Sequence, residues 1–348
     1  MKNKPKISRR SFVKASTALT GGAYLLSPMM ANAHFFQRNE DSVQLAWLGN
    51  TAPKHNQGFT WGNCWPKGKV KRESGFDLVS SEREDIAVQS WPLAYWPDGS
   101  LKWTGHAVPA TELSHIAFQL SPTSKAKSLQ GMKVEESDTT IKIDTGDLLY
   151  TIPKSGNQII SSIQKGEKNL AKSGRLVVLH QNVSDEDAAD QIKKTNFQGN
   201  ISKISLEQKG ALRSVVKIEG SHRSDSGRDF ISYVVRLYFY HQAASFKMVH
   251  TIIFDGEEEA DFIKGIGVKF DVPMQDELHD RHIRFAGQDD GVFSEAVRGL
   301  TGLRRDPGKV IIGAQLAGEK TPPISEFPAN VSKNINYIPA FGDYTLFQ

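Results

Sequence analysis

Six tryptophans, Trp47, Trp61, Trp65, Trp91, Trp96 and Trp103, all fall in the first third of this chain of 348 residues. An indole can stack flat on a sugar ring and donate its N–H to a hydroxyl, or it can fill the interior of a small barrel. Trp47 and Trp103 read as core. Trp61, Trp65 and Trp96 lie beside Gly and Pro in "GFTWGNCWPKGKV" and "WPLAYWPDGSLKW", where exposed platform and buried filler both stand. A second set of chemistry lies further on. In "DFISYVVRLYFYH", alternation puts Arg236, Tyr238 and Tyr240 on one face and Tyr233, Val235, Leu237 and Phe239 on the other. The neighbouring "LRSVVKIEGSH" aligns Arg213, Lys217 and Glu219. Such cations and phenols suit an anionic sugar, and the same pattern is the ordinary solvated side of an antiparallel sheet.

Histidines supply the proton-transfer candidates. His250, in register with Met248 and Ile252, reads first as a partly buried, satisfied ring; with His241, Tyr240 and Arg236 it is a side chain to test for catalysis. His279 and His282, beside Asp276, Glu277 and Asp280, lack a third defined ligand and read as a solvated loop, so no metal site is assigned. "SDSGRD" (224–229) and "GQDDG" (287–291) make calcium a candidate ion, yet neither has the full ligand spacing of a calcium loop and both read as turns. "KSGRL" is too short for a phosphate loop, and no Gly-x-Ser-x-Gly elbow occurs.

Strands must position these groups. Short runs rich in Val, Ile and aromatics, such as "DSVQLAWLG", "IAVQSWPLAYW", "LKWTGHAV" and "HIAFQL", alternate with Gly, Pro, Asn and Asp. Trp96-Pro97-Asp98-Gly99-Ser100 predicts a tight turn, after which Leu101, Trp103 and Ala107 share one face and Lys102, Thr104 and His106 the other. The polar stretch 121–139 reads as a linker, and longer strands follow it. Helical periodicity is scarce, with "SDEDAADQIKK" (184–194) the best short candidate. The expected fold is mostly β: a barrel-like domain over 34–125, then an antiparallel β-sandwich over 126–348.

The first 33 residues read differently. A basic start leads into Arg9-Arg10-Ser11-Phe12-Val13-Lys14, a mild apolar run and Ala31-Asn32-Ala33, the order of a twin-arginine export signal cut after Ala33. Localisation is then periplasmic or secreted, with no membrane association after cleavage. That segment holds six of the 43 basic residues and no acidic ones, so the remainder has 43 − 6 = 37 basic against 39 acidic groups, a net charge of −2. Nucleic acid is therefore not an expected partner. Cys64 is the single cysteine, which excludes an internal disulfide and a cysteine-based metal site.

The segments "GFTWGNCWPKGKV" and "SWPLAYWPDGSLKWTGHAV", with "VVKIEGSHR", "VVRLYFYHQAASFKMVHTIIFDG" and "IKGIGVKFDVP", resemble the exo-rhamnogalacturonan lyases of polysaccharide lyase family 26. Members have a small N-terminal β-barrel, a central β-sandwich and a C-terminal α/α toroid; the resemblance reaches the first two, and no run of paired amphipathic helices follows before "YIPAFGDYTLFQ". It implies an acidic or rhamnose-containing polysaccharide as partner and β-elimination as the reaction. That reaction needs a neutralised uronate carboxylate, a base and an acid. No catalytic residue of the family is carried over to a position here. The resemblance implies the non-toroid part of a lyase, inactive without a toroid supplied by a longer or separately encoded chain. The alternatives are a stand-alone carbohydrate-binding module, with Trp61, Trp65 and Trp96 as platforms, and an inactive fragment.

Overall fold

The computed structural model describes residues 42–111, 114–184, 191–286, 291–300 and 306–335. The export signal, most of the short helical candidate, the 287–290 part of the second calcium candidate and the C-terminal "YIPAFGDYTLFQ" lie outside them. The chain groups into two compact units, Met1–Lys168 with Ser173–Lys269, and Asn169–Lys172 with Phe270–Gln348.

The first unit opens with β1 (Val43–Ala46), β2 (Phe59–Cys64), β3 (Gly75–Ser80), β4 (Asp85–Ile86), β5 (Gln89–Tyr95), β6 (Leu101–Val108) and β7 (Ala117–Thr123). They form two antiparallel sheets, ordered β1-β7-β3-β4 and β2-β6-β5. Alternation turns Phe76, Leu78, Phe118 and Leu120 into a core shared with Trp65, Val70, Leu101 and Val108. The expected turn forms: Trp96 N donates to Ser100 O, Gly99 takes φ +84°, and Asp98 Oδ1 accepts from Ser100 N and Oγ.

The face assignment after that turn is corrected. Trp103 is 42% exposed, while Thr104 and His106 are buried with Leu101. The register explains it: Ala94 pairs with Trp103 and Tyr95 with Leu101, so Lys102 is an extra residue opposite β5. A bulge lets the strand turn its face once more, returning Leu101 to the core and sending the indole of Trp103 outward. Trp47, expected in the core, is half-buried against it.

The rest of the first unit is a long meander. It comprises β8 (Lys133–Glu136), β9 (Thr140–Asp144), β10 (Leu149–Pro153), β11 (Gln158–Lys165), β12 (Lys168–Gln181), β13 (Lys194–Gln208), β14 (Arg213–Ser224), β15 (Asp229–Tyr240), β16 (Phe246–Ile253) and β17 (Phe262–Asp271). The sheet runs from β16 stepwise to β8, with β17 beside β12. It folds face to face: Tyr150 on β10 meets Phe239 on β15 at 4.8 Å between ring centroids and Phe246 on β16 at 5.6 Å. The alternation expected on β15 holds from Tyr233 to Phe239, with Tyr233, Val235, Leu237 and Phe239 all buried; Tyr240, expected outward with Arg236 and Tyr238, is buried as well, against Ala107 and Ala243. The stretch read as a linker instead contains β8, and Met132 N donates to Ala211 O.

In the second unit, β18 (His282–Ala286) pairs with β19 (Val292–Ala296), followed by α1 (Lys309–Ala317) and α2 (Ala329–Ser332). Leu300, Ile311, Phe327, Val331 and Ile335 make its core. His279 and His282 belong here and are not in a solvated loop. His279 is buried against Phe327, and His282 Nε2 donates to Gln315 O. Among the described residues no helix is long and apolar enough to cross a membrane, and no helical toroid is present.

Candidate saccharide site at the barrel–sandwich junction

Within the first unit, three strands converge where the barrel meets the sandwich. Gln89, at the start of β5, crosses to the β13–β14 turn. Its Oε1 accepts from Leu212 N (2.8 Å) and Arg213 N (3.0 Å), and its Nε2 donates to Arg213 O (3.0 Å). Gly210 is required there, since a Cβ would collide with the Gln89 amide. Two residues along β5, the Trp91 ring lies over Gly105 of β6, another position that a Cβ would fill. The result fixes Arg213, whose guanidinium carbon sits 5.0 Å from the ring centroids of both Trp91 and Tyr238. A cation held over two aromatic faces is stabilised without any carboxylate. Its one hydrogen-bond partner among the described residues is the neutral Gln208 amide, and its Nε is buried without one.

The other expected cations of this sheet face are neutralised. Lys217 Nζ is 2.8 Å from Glu219, and Arg236 forms a two-pronged pair with Glu207 at 2.8 and 3.0 Å. The Arg236 pair raises that guanidinium's pKa and removes it as a proton donor. Lys247, on β16 opposite Tyr238, is exposed, lies 6.0 Å from the Tyr238 ring centroid and has no carboxylate partner among the described residues. Sequence reasoning missed it, because only the strand register places it opposite Tyr238, whose ring Arg213 also meets.

Lys247 also lines a groove of about 340 Å³, of mixed polar and apolar character, with His55, Gln57, Phe59, Thr60, Tyr240 and Ser245. Tyr240 lines it with its OH 2.8 Å from Thr60 Oγ1 and its ring packed in a cluster with Ala107 and Ala243. Gly58, at φ +85°, has no room for a side chain beside that ring. His241 faces the opposite way: its Nδ1 donates to Thr145 O at 2.9 Å, which leaves Nε2 as the acceptor of the neutral ring. His250 is remote from Arg213's rings. It packs 5.9 Å from His222 and 6.0 Å from Tyr233, and burial, followed by the repulsion a protonated His222 would add, lowers its pKa. Its Nε2 is buried without a hydrogen-bond partner, so the expected satisfied ring is corrected to an unsatisfied one.

The tryptophan turns divide. Trp65 is 4% exposed and offers no face to a ligand, which corrects its reading as a platform. Its Nε1 donates to Thr104 Oγ1, whose own proton then goes to His106 Nε2, and the His106 Nδ1–H goes to Ser90 Oγ. This buried relay is structural, and desolvation lowers the His106 pKa to about 4. Trp96 donates to Trp65 O and its ring is covered by Lys102, 4.6 Å from the centroid. Trp61 is the one of the three that lines open space. With Trp47 and Phe59 it borders an apolar pocket of about 630 Å³ in the barrel, and its Nε1 is buried without a hydrogen-bond partner.

The first calcium candidate is a hairpin turn between β14 and β15. Gly227 N donates to Ser224 O, and Asp229 is held by Arg223 at 2.8 and 2.9 Å.

Comparison with known proteins adds two matches to family models. Residues 41–123 match the PcRGLX-like N-terminal RIFT barrel domain, and residues 132–348 match the PcRGLX-like protein central beta sandwich domain. The chain is also 34% identical over 263 residues to "Uncharacterized protein YetA" of Bacillus subtilis (strain 168). That alignment covers 75% of this chain and 30% of the relative, so the chain spans under a third of its length.

Proposed function

The chain belongs to the PcRGLX-like family, and from that premise we propose that it is the barrel-and-sandwich part of an exported rhamnogalacturonan lyase-like protein. Its role is to hold acidic, rhamnose-containing polysaccharide outside the cytoplasm. The observation that carries this reading is Arg213, a guanidinium 5.0 Å from the rings of both Trp91 and Tyr238, with no carboxylate among the described residues to neutralise it. Such a group favours a uronate carboxylate, and charge-assisted hydrogen bonds of this kind contribute about 1.5–3 kcal/mol. Lys247 adds positive charge along the same strip. The flanking rings suit the apolar faces of sugars.

For β-elimination, Arg213 fits the first requirement, neutralising the uronate so that its neighbouring proton becomes acidic. A base and an acid are not assembled around it by the described residues: His241 and His250 point elsewhere, and the Tyr240 hydroxyl is tied to Thr60. The chain by itself therefore binds and does not cleave. A toroid, on a longer or separate chain, would complete the reaction.

Calorimetric titration of the chain with acidic, rhamnose-containing oligosaccharides tests the binding part. Saturable heat at millimolar or lower concentration is expected; its absence removes the proposal. Ultraviolet absorbance of unsaturated uronate tests the second part. A silent trace is expected from this chain alone, and steady product formation would show that the base and acid are present after all.

A further inference from the structure

Among the described residues, one group of three metal-capable side chains comes together, Glu82, Glu84 and His115, with their ligand atoms within 4.8 Å of one another. It lies on the barrel, away from Arg213's strands, and plays no part in the saccharide reading. The β3–β4 hairpin presents the two carboxylates. Ser80 N donates to Glu84 O, Arg83 N to Ser80 O, and the Ser80 hydroxyl accepts from Glu82 N and Glu84 N. The imidazole is equally fixed: His115 is 9% exposed, its carbonyl accepts from Trp47 Nε1 at 2.9 Å, and its ring stands edge-on to Phe118.

The two ring nitrogens differ. Nε2 lies 2.8 Å from Glu84 Oε2, a hydrogen bond that requires the proton on Nε2. In the neutral ring, Nδ1 then carries a lone pair. It is buried, has no hydrogen-bond partner and lies 3.6 Å from Glu82 Oε1. Two acceptors facing each other at that distance repel unless a positive charge sits between them. A cation bonded to an imidazole nitrogen at about 2.0–2.1 Å and a carboxylate oxygen at about 2.0–2.2 Å, with a tetrahedral angle, separates the two ligands by about 3.3–3.5 Å. The observed spacing is close to that. Glu84 then occupies the place of the carboxylate that orients a metal-bound histidine through its other nitrogen.

We propose that His115 Nδ1 and Glu82 form a surface site for a divalent transition cation such as Zn²⁺, with Glu84 as the positioning residue. Water fills the remaining positions, since both carboxylates are solvent-exposed. Nitrogen with carboxylate oxygen favours zinc-like ions over calcium, which prefers six to eight oxygens. The ion would staple the β3–β4 hairpin to the segment entering β7.

Calorimetric titration of the full chain with Zn²⁺ at pH 7.5, in a buffer that does not chelate, tests this. One site in the micromolar range is expected. Glu82→Gln, an exposed and conservative change, should weaken it at least tenfold, and Glu84→Gln on the order of tenfold. Nitrogen NMR of the His115 ring should show Nδ1 shifting on addition of zinc while Nε2 keeps its proton. Absence of binding, binding undiminished in Glu82→Gln, or an Nδ1 that stays protonated with zinc in excess would each overturn the site in favour of a plain imidazolium–carboxylate pair.

Discussion

At the scale of single residues, what separates Arg213 from its neighbours is what it lacks. Lys217, Arg223, Arg228 and Arg236 each face a carboxylate, whereas Arg213 faces two rings and a neutral amide. Removing the charge of Lys217 or Arg236 by substitution with Met should therefore change oligosaccharide affinity by less than about twofold, because an already paired surface charge has little left to give. A tenfold loss in either variant would move the binding face along the sheet. A second residue, Gly220, tests the packing. A Cβ there would run into Asn200 O and the Tyr233 hydroxyl of the paired strand. Gly220→Ala should cost about 1–3 kcal/mol in denaturant unfolding, the range for overpacking a filled core. An unchanged midpoint would mean that the strands have room to part.

At the scale of elements, local sequence pattern specifies single turns and strand faces but not the pairing between strands. The turn at 96–100 was legible because Pro, Asp and Gly each have a backbone role there, and the inward face of β15 because its alternation is unbroken over eight residues. Trp103 was misread because one bulged residue, Lys102, reverses the faces, and a bulge leaves no mark in composition. The cation strip was legible only as a set of candidates. Lys217 is paired within its own strand by Glu219, but which of Arg213 and Arg236 is left without a carboxylate depends on Glu207 and Gln208 of a different strand. The zinc candidate was invisible, its ligands being some thirty residues apart and joined only by the strand pairing of the barrel. Gln89 shows the same non-local logic. It holds both amides and one carbonyl of the β13–β14 turn, so Gln89→Ala leaves two backbone donors without partners. The expected cost is about 2–4 kcal/mol, as an orphaned buried donor costs about 1–3 and the part-buried Arg213 amide less. Unfolding free energy measures it; a loss below about 0.5 kcal/mol would mean that water replaces the amide and that the turn is not anchored by Gln89.

For the molecule as a whole, buried neutral histidines tie stability to pH. His106, His222 and His250 all have lowered pKa values, each chiefly through burial. Their unfolded values are near 6.5, so the unfolded chain takes up protons first as pH falls. Stability from this source is complete above about pH 6.5 and declines on acidification, for His106 until about pH 4. The His106 contribution alone is up to about 3 kcal/mol at neutral pH. Thermal unfolding followed from pH 7.5 to 4.5 should show a falling midpoint, part of which disappears in His106→Gln when each midpoint is referred to that variant's own pH 7.5 value. A flat profile would require these rings to be charged or solvated in the folded protein.

The central claim is that an unneutralised guanidinium between two aromatic rings recognises the acid groups of the polysaccharide. Tryptophan fluorescence during titration with an acidic, rhamnose-containing oligosaccharide, compared between the native chain and Arg213→Gln, tests it most directly. The account predicts saturable quenching that weakens with added salt, with affinity at least tenfold lower in the variant and lost for the same oligosaccharide after its carboxyl groups are reduced. Equal affinity of the two proteins, or equal affinity for the acidic and the reduced sugar, would contradict it.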